Sequence, residues 1–266
     1  MTRPEENSLA QPVGRASAAS RVDLFAGDVA RHYDDDCAEV ATPAVLDPMV
    51  GVLAELAGDG PVLEFAIGTG RVAMPLSERV EVHGIEWSPD MLAELVAKPG
   101  AERITAVQGD MASTRVPGRF SLVFLVFNTI GNLTTQDDQV ACFANAAAHL
   151  APGGRFVIEV GVPELQRLPY GEKYVPFDVS VGHLGFDEYD LVDQGPISHH
   201  VTFDPDGGVR RGSPNFRYVW PSELDLMARL AGMTREHRWA DFDRTPFTAT
   251  SRSHVTVWRK GTPQVA

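Results

Sequence analysis

A chain of 266 residues with 44% hydrophobic and 22% charged residues has enough apolar material for one large domain or two small ones, which excludes a largely disordered or collagen-like polymer. Its 36 acidic against 23 basic residues leave a formal charge of −13, and such a surface repels phosphate backbones, so neither nucleic acid nor an anionic membrane is expected as a partner. Two cysteines, Cys37 and Cys142, exclude a disulfide framework and a zinc pattern and read as reduced thiols of a cytoplasmic protein.

Residues 1–20 are rich in Ser, Ala and Pro without the apolar core of a signal peptide, and they read as a flexible leader. The longest strongly apolar run, residues 122–127, is far too short for a membrane helix. Thr42 and Pro43 open a helix that runs to Leu56 and stops at Gly58 and Gly60. A strand over Val62 to Ile67, a helix from Gly70 to Arg79 and a strand from Val80 to Glu86 come next. Ser88-Pro89 starts another helix that ends at Pro99-Gly100. Strands follow at Arg103 to Val107 and Leu122 to Phe127, then a helix from Gln136 to Leu150 capped by Thr135, then a strand from Arg155 to Val160. Strands alternating with helices predict an α/β fold with a mostly parallel, doubly wound sheet. Residues 174–220 alternate polar and apolar around the turn Asp204-Pro-Asp-Gly-Gly208, which predicts antiparallel strands added to that sheet. Pro221 opens a last helix with Leu224, Met227, Ala228 and Ala231 on one face, and His254 to Lys260 reads as a final strand.

In such a sheet small ligands bind beyond the carboxyl ends of the strands, so four strand ends are the candidates. After the first, Glu64-Phe-Ala-Ile-Gly68-Thr-Gly70-Arg71 places glycines where a backbone turns tightly toward a ligand at a helix N-terminus. Gly68 to Ala73 also satisfies the dinucleotide fingerprint G-x-G-x-x-G/A, with Glu86 eighteen residues beyond Gly68, which raises an NAD-dependent oxidoreductase as an alternative. Charge opposes it: Glu64 would repel a pyrophosphate but welcome a zwitterionic ligand bearing a sulfonium and an ammonium. At the second end, Glu86 can accept hydrogen bonds from a ribose diol and Trp87 offers a face to adenine. At the third, Asp110 can accept from an adenine amino group while Met111 packs on the ring. At the fourth, Phe127-Asn128-Thr129-Ile130-Gly131-Asn132-Leu133 brings polar amides that can line a pocket.

Taken in order, these segments resemble the class I S-adenosylmethionine-dependent methyltransferases: E-F-A-I-G-T-G, I-E-W-S-P-D-M, Q-G-D-M and L-A-P-G-G-R-F-V-I-E-V. The resemblance implies a seven-stranded Rossmann-like sheet over 41–266 and S-adenosylmethionine as cofactor. Carried over residue by residue, it puts Glu64, Gly68 and Gly70 around the methionine part of the cofactor, Glu86 on the ribose, Trp87 and Met111 on either side of adenine and Asp110 on its amino group, and adds Ala66, Thr69, Arg71, Met91, Phe127 and Asn128 to the cofactor-binding residues. Two departures stand out: Ala66 replaces the family's first loop glycine, and Ser121 replaces an acid, chiefly structural, at the start of the fourth strand. A weaker likeness to small-molecule methyltransferases of natural-product pathways, including amino-sugar N-methyltransferases, implies an N-terminal lid helix over 21–40 with Tyr33 closing over the cofactor, and a substrate-covering antiparallel segment over 170–220.

The expected partner is a small-molecule acceptor with an amine or hydroxyl, and the expected assembly a monomer or homodimer. Methyl transfer from a sulfonium needs alignment and dryness more than a nucleophilic side chain. A hydroxyl acceptor would gain from a general base, and alternation places His200 with Ser198 and Thr202 on the polar side of a covering strand, where it is the catalytic candidate. His199, on the other side with Ile197 and Val201, reads as a core histidine. No metal is expected, the acidic run Asp34-Asp-Asp36 reading as solvated. A non-catalytic cofactor-binding protein of the same fold is the remaining alternative.

Overall fold

The computed structural model describes residues 23–204 and 206–262, so the leader expected over 1–20 lies outside the described residues. The chain opens with helix α1 (Asp28–Asp36) and α2 (Pro43–Ala57), then alternates β1 (Val62–Phe65), α3 (Ala73–Leu76), β2 (Val82–Glu86), α4 (Pro89–Ala97), β3 (Ile104–Gln108), β4 (Phe120–Leu125), α5 (Gln136–His149) and β5 (Leu150–Gly161). Strands β6 (Tyr174–Val179), β7 (His183–Asp190), β8 (Gly195–Phe203) and β9 (Val209–Gly212) follow, and α6 (Pro221–Leu230), β10 (Met233–Trp239) and β11 (Ser253–Lys260) close the fold.

The main sheet has seven strands in the order β10-β11-β5-β4-β1-β2-β3. The ladders joining β5, β4, β1, β2 and β3 are parallel, and β11 runs against both β5 and β10. The central strands are apolar on both faces because helices cover both sides, as a parallel sheet requires. One core gathers Phe65, Phe143, Phe156 and Trp258 toward α5 and α6, and the other gathers Leu53, Leu76, Leu122 and Val257 toward α2 and α3. Burying each such aliphatic or phenyl side chain contributes roughly 1.5–3 kcal/mol. The strand order reverses between β1 and β4, so the crevice at their carboxyl ends is the topological switch point where ligands bind.

Several elements differ from the sequence expectation. β1 stops at Phe65 rather than Ile67, because Ala66 turns into the left-handed region with φ 51°. Helix α3 is a single turn instead of a helix from Gly70 to Arg79, since Pro75 inside it cannot donate an amide to the ladder. Thr42 precedes α2 but its hydroxyl makes no cap bond and donates back to the Glu39 carbonyl, whereas Thr135 and Ser88 do accept from Asp138 and Met91 amides. The seventh strand is β10, whose run Arg-Glu-His-Arg shows no apolar alternation because it lies at the sheet edge with a register shift between Arg235 and His237. The antiparallel segment does not extend the main sheet: β6–β9 form a separate four-stranded sheet, with no ladder to the main one among the described residues. Ser121, in the place of the family's acid, donates from its amide and its hydroxyl to the Pro61 carbonyl, tying β4 to the entrance of β1. Among the described residues no helix is long and apolar enough to cross a membrane.

Candidate functional site

A cavity of about 490 Å³ opens at the switch point, within the size range of small-ligand sites. Its floor comes from four successive strand ends: Ala66 and Gly68 after β1, Glu86 and Trp87 at β2, Asp110 and Met111 after β3, and Thr129 and Asn132 after β4. Phe25 and Tyr33 close one side, and Ser213 and Asn215, from the segment between β9 and α6, close another.

The glycine loop explains why this end is concave. Gly68 and Gly70 have φ of 58° and 85°, and a Cβ on Gly70 would lie 2.4 Å from Leu95 Cδ1, so the loop turns where a larger residue would collide. Glu86 holds it: Oε2 accepts the Gly68 amide at 2.7 Å and Oε1 the Ser88 amide at 2.8 Å. Burial pushes the Glu86 carboxyl above its usual range, against the pull of those two amides. Behind the loop, Glu64 is 4% exposed and its Oε2 has no hydrogen-bond partner among the described residues. Desolvation drives its pKa well up, Arg71 opposing and Glu86 adding to the rise.

The far walls are fixed by two buried amides on α5. Asn145 Nδ2 donates to the carbonyls of Met111 and Thr114, which sets the segment after β3. Gln139 Nε2 donates to the carbonyls of Ile130, Leu133 and Arg217, which joins the loop after β4 to the covering segment. Arg217 in turn donates to Gln139, Gln194 and Glu223.

Of the residues expected at the cofactor, the structure brings Tyr33, Ala66, Gly68, Glu86, Trp87, Met91, Asp110 and Met111 to this cavity. Tyr33 meets Phe25 edge-on at 6.1 Å, and burial keeps its phenol well above the ordinary value and hence neutral. The other expected residues, Glu64 among them, do not line it. Gly70 and Arg71 face a second cavity of about 530 Å³ with Asp34 and Lys98. Thr69 donates to Asp34 at 2.6 Å and its carbonyl accepts Lys98 Nζ. Asp34 is therefore a latch between α1 and the glycine loop rather than a merely solvated acid. Phe127 carries the Arg71 guanidinium over its ring at 4.9 Å, and Asn128 accepts the Gly161 amide; both have positive φ.

His200 is not among the cavity residues. Its ring lies between His183, 3.0 Å away, and Ser198, 3.2 Å away, and burial pushes its pKa down. His199 corrects the core-histidine expectation: it is half-buried, stacks on Phe186 at 4.8 Å, and hydrogen-bonds Glu188 and the cavity residue Ser213. The covering residues Phe25, Ser213 and Asn215 escaped the sequence reading because nothing local marks them; long-range pairings such as Ile197 with Asn215 and Arg217 with Gly131 carry Ser213 and Asn215 over the strand ends.

Three carboxylates, Asp23, Glu86 and Asp110, and no Lys, Arg or His stand among the described lining residues. Such a site attracts cations and repels a pyrophosphate. Among the described residues no cluster of His, Cys, Asp or Glu is arranged to hold a metal ion.

Comparison with known proteins agrees with that chemistry. Residues 62–154, from β1 into β5, match the methyltransferase domain family. The cypemycin N-terminal methyltransferase of a Streptomyces species is 26% identical over 240 residues, 85% of this chain and 96% of that protein. A Streptomyces venezuelae dTDP-3-amino-3,4,6-trideoxy-alpha-D-glucopyranose N,N-dimethyltransferase is 35% identical over 99 residues, 37% of this chain and 41% of that protein. The structure of the CcbJ methyltransferase from Streptomyces caelestis aligns with a TM-score of 0.73 at 37% identity, covering 86% of this chain and 98% of that one. The oxidoreductase alternative finds no support.

Proposed function

Since the chain belongs to the S-adenosylmethionine-dependent methyltransferases, we propose that it moves the methyl group onto an amine nitrogen of a small natural-product metabolite. The observation that carries the acceptor class is the cavity's one-signed lining: three acids and no base suit both a sulfonium donor and an acceptor that arrives as an ammonium. Two relatives whose names state an amine acceptor, one a peptide N-terminus and one an amino sugar, support the same choice.

Glu64, just behind the lining residues Ala66 and Gly68, keeps a buried Oε2 with no partner among the described residues, which fits an amino-acid ammonium, so the residues present suit the cofactor. Glu86, with lone pairs left beyond its two amide bonds, would accept from the ribose hydroxyls, Asp110 from the adenine amino group, and Trp87, Met91 and Met111 would enclose the ring. When bound, the cofactor supplies an electrophilic methyl carbon on sulfur. The chain's part is to hold the acceptor nitrogen in line with that carbon and to keep water out, and Phe25 and Tyr33 do so from the α1 side.

Melting curves with S-adenosylhomocysteine, S-adenosylmethionine and NAD test the site. At about 100 times Kd a specific ligand adds about 2.7 kcal/mol, which raises Tm by roughly 5–11 °C in a chain of this size. Both sulfur nucleosides should shift it and NAD should not, and Glu86→Ala should weaken binding about 10- to 150-fold. Methyl transfer to a panel of primary amines and matched alcohols tests the acceptor. Turnover confined to the alcohols overturns the amine reading.

A further inference from the structure

We propose that Ser213, His199 and Glu188 form a proton relay in which Ser213 touches the acceptor and takes its proton, while His199 and Glu188 position that hydroxyl and receive the charge. This rests on the amine reading, because an acceptor that arrives as an ammonium has no lone pair to attack with until a proton leaves.

The geometry gives the relay one direction. His199 Nε2 lies 3.2 Å from Glu188 Oε2, and an ionised carboxylate only accepts, so Nε2 carries the ring hydrogen. His199 Nδ1, 3.0 Å from Ser213 Oγ, is then the acceptor, and the serine hydroxyl donates to it. That leaves the Ser213 oxygen lone pairs for a donor in the cavity that this residue lines. Lys173 pairs with Glu188 and, with His199, holds its carboxyl below the usual range, so the relay keeps its anion at neutral pH. Phe186 stacked on the imidazole fixes the ring plane. The backbone on either side of Ser213 is tied down as well: the Pro214 carbonyl accepts the Ser198 amide at 3.0 Å, and Asn215 bridges to Ile197. The charged groups around His199 are Glu188 and Asp187 from β7, Lys173 ahead of β6 acting through Glu188, and His200 on its own strand.

The step balances. The acceptor ammonium gives one proton to Ser213 Oγ, whose own proton passes to His199 Nδ1, making an imidazolium against Glu188. The freed nitrogen pair then forms the bond to the methyl carbon, and the carbon–sulfur bond breaks with its electrons left on sulfur as a neutral thioether. The imidazolium then gives its Nε2 proton to the Glu188 carboxylate, which is 25% exposed and releases it to water.

Two measurements on the full chain decide the relay. Nitrogen-15 histidine spectra with S-adenosylhomocysteine bound need no acceptor, so they separate a failure of the relay from a failure of the amine reading. His199 should appear with Nε2 protonated and Nδ1 unprotonated, its Nδ1 signal moving in Ser213→Ala; a protonated Nδ1 in the neutral ring overturns the proposal. With 3-amino-3-deoxyglucose as probe amine, Ser213→Ala and His199→Gln should lower kcat by roughly 10²–10⁴ with KM within about threefold. A glutamine keeps hydrogen bonding but takes no proton, so full kcat in His199→Gln would reduce the trio to a structural staple and sink the relay.

Discussion

Glu223 and Glu64 are two carboxyls that stand behind the cavity rather than among its lining residues, and their surroundings are opposite. Glu223, on α6 behind the covering wall, accepts from Gln136, Gln194 and Arg217. Burial alone would raise its pKa, but those partners win and hold the carboxyl below its usual range. Glu64, on β1 behind the strand-end wall, has one oxygen with no partner among the described residues, and burial drives it well above that range. The first wall is therefore finished by the chain itself, while the second is left electrostatically incomplete in the way a site for a cationic ligand has to be. A closed network serves stability, and an open acid serves binding.

The largest expected effect comes from breaking the closed network. Arg217 is nearly buried, with 5% of its side chain exposed, and Arg217→Met leaves Glu223 without its cation and the Gln139 and Gln194 oxygens without their donor. Removing one partner of a buried pair costs about 3–5 kcal/mol, so melting curves should show Tm falling by roughly 6–20 °C. The covering segment should loosen first, seen as faster amide exchange at Arg217 and Tyr218, whose amides bond Gly131 and Gln194. A variant as stable as the wild type would mean that the wall is held by apolar packing alone.

The same contrast decides what could be read from the amino-acid order. The strand-end wall is local: a glycine loop, an acid at the end of the next strand and a Gly-Asp turn each sit within a few residues of the strand they terminate, and the structure brings Gly68, Glu86 and Asp110 to one cavity. The covering wall depends on Gln139 reaching Arg217 across 78 residues, and no local pattern announces that bond. His200 and His199 show the limit sharply. Alternation puts them on opposite faces, but only the return of the chain at Ser213 determines which face meets the cavity. The edge strand β10 was illegible for another reason: an edge carries charges that hide the period of two.

Titration sharpens the contrast between the two acids. A carboxyl whose folded pKa is raised costs nothing below its unfolded value near 4.5, and its cost grows as pH rises from there toward the folded value, at about 1.4 kcal/mol per pH unit. Glu223, lowered, has the opposite sign, with stability present above its unfolded value and lost as pH falls through the folded one. Glu64→Gln should therefore leave stability at pH 4 almost unchanged and raise it at pH 7 to 8, while weakening S-adenosylhomocysteine binding by removing the anion. Denaturation at a series of pH values, paired with calorimetric titration, reads both. A variant that gains stability and keeps full affinity would detach Glu64 from the ligand.

The smallest effect tests whether strain is also concentrated at the strand-end wall. Ala66 sits at φ 51°, where an L side chain with a Cβ costs roughly 1–2 kcal/mol, and its neighbour two positions on, Gly68, takes a similar φ of 58° without that cost. Ala66→Gly removes the clash but gives the unfolded chain more freedom, which takes back about 0.4–1 kcal/mol. The net gain should be on the order of 0.5–1 kcal/mol, a Tm rise of roughly 1–4 °C. Ala66 lines the cavity, so the lost methyl also enlarges the floor, and affinity for S-adenosylhomocysteine should change by less than about threefold because no hydrogen bond is touched. A fall in Tm would mean that the Ala66 methyl, packed against the aromatic core beside Phe65, contributes more through contact than its backbone loses through strain.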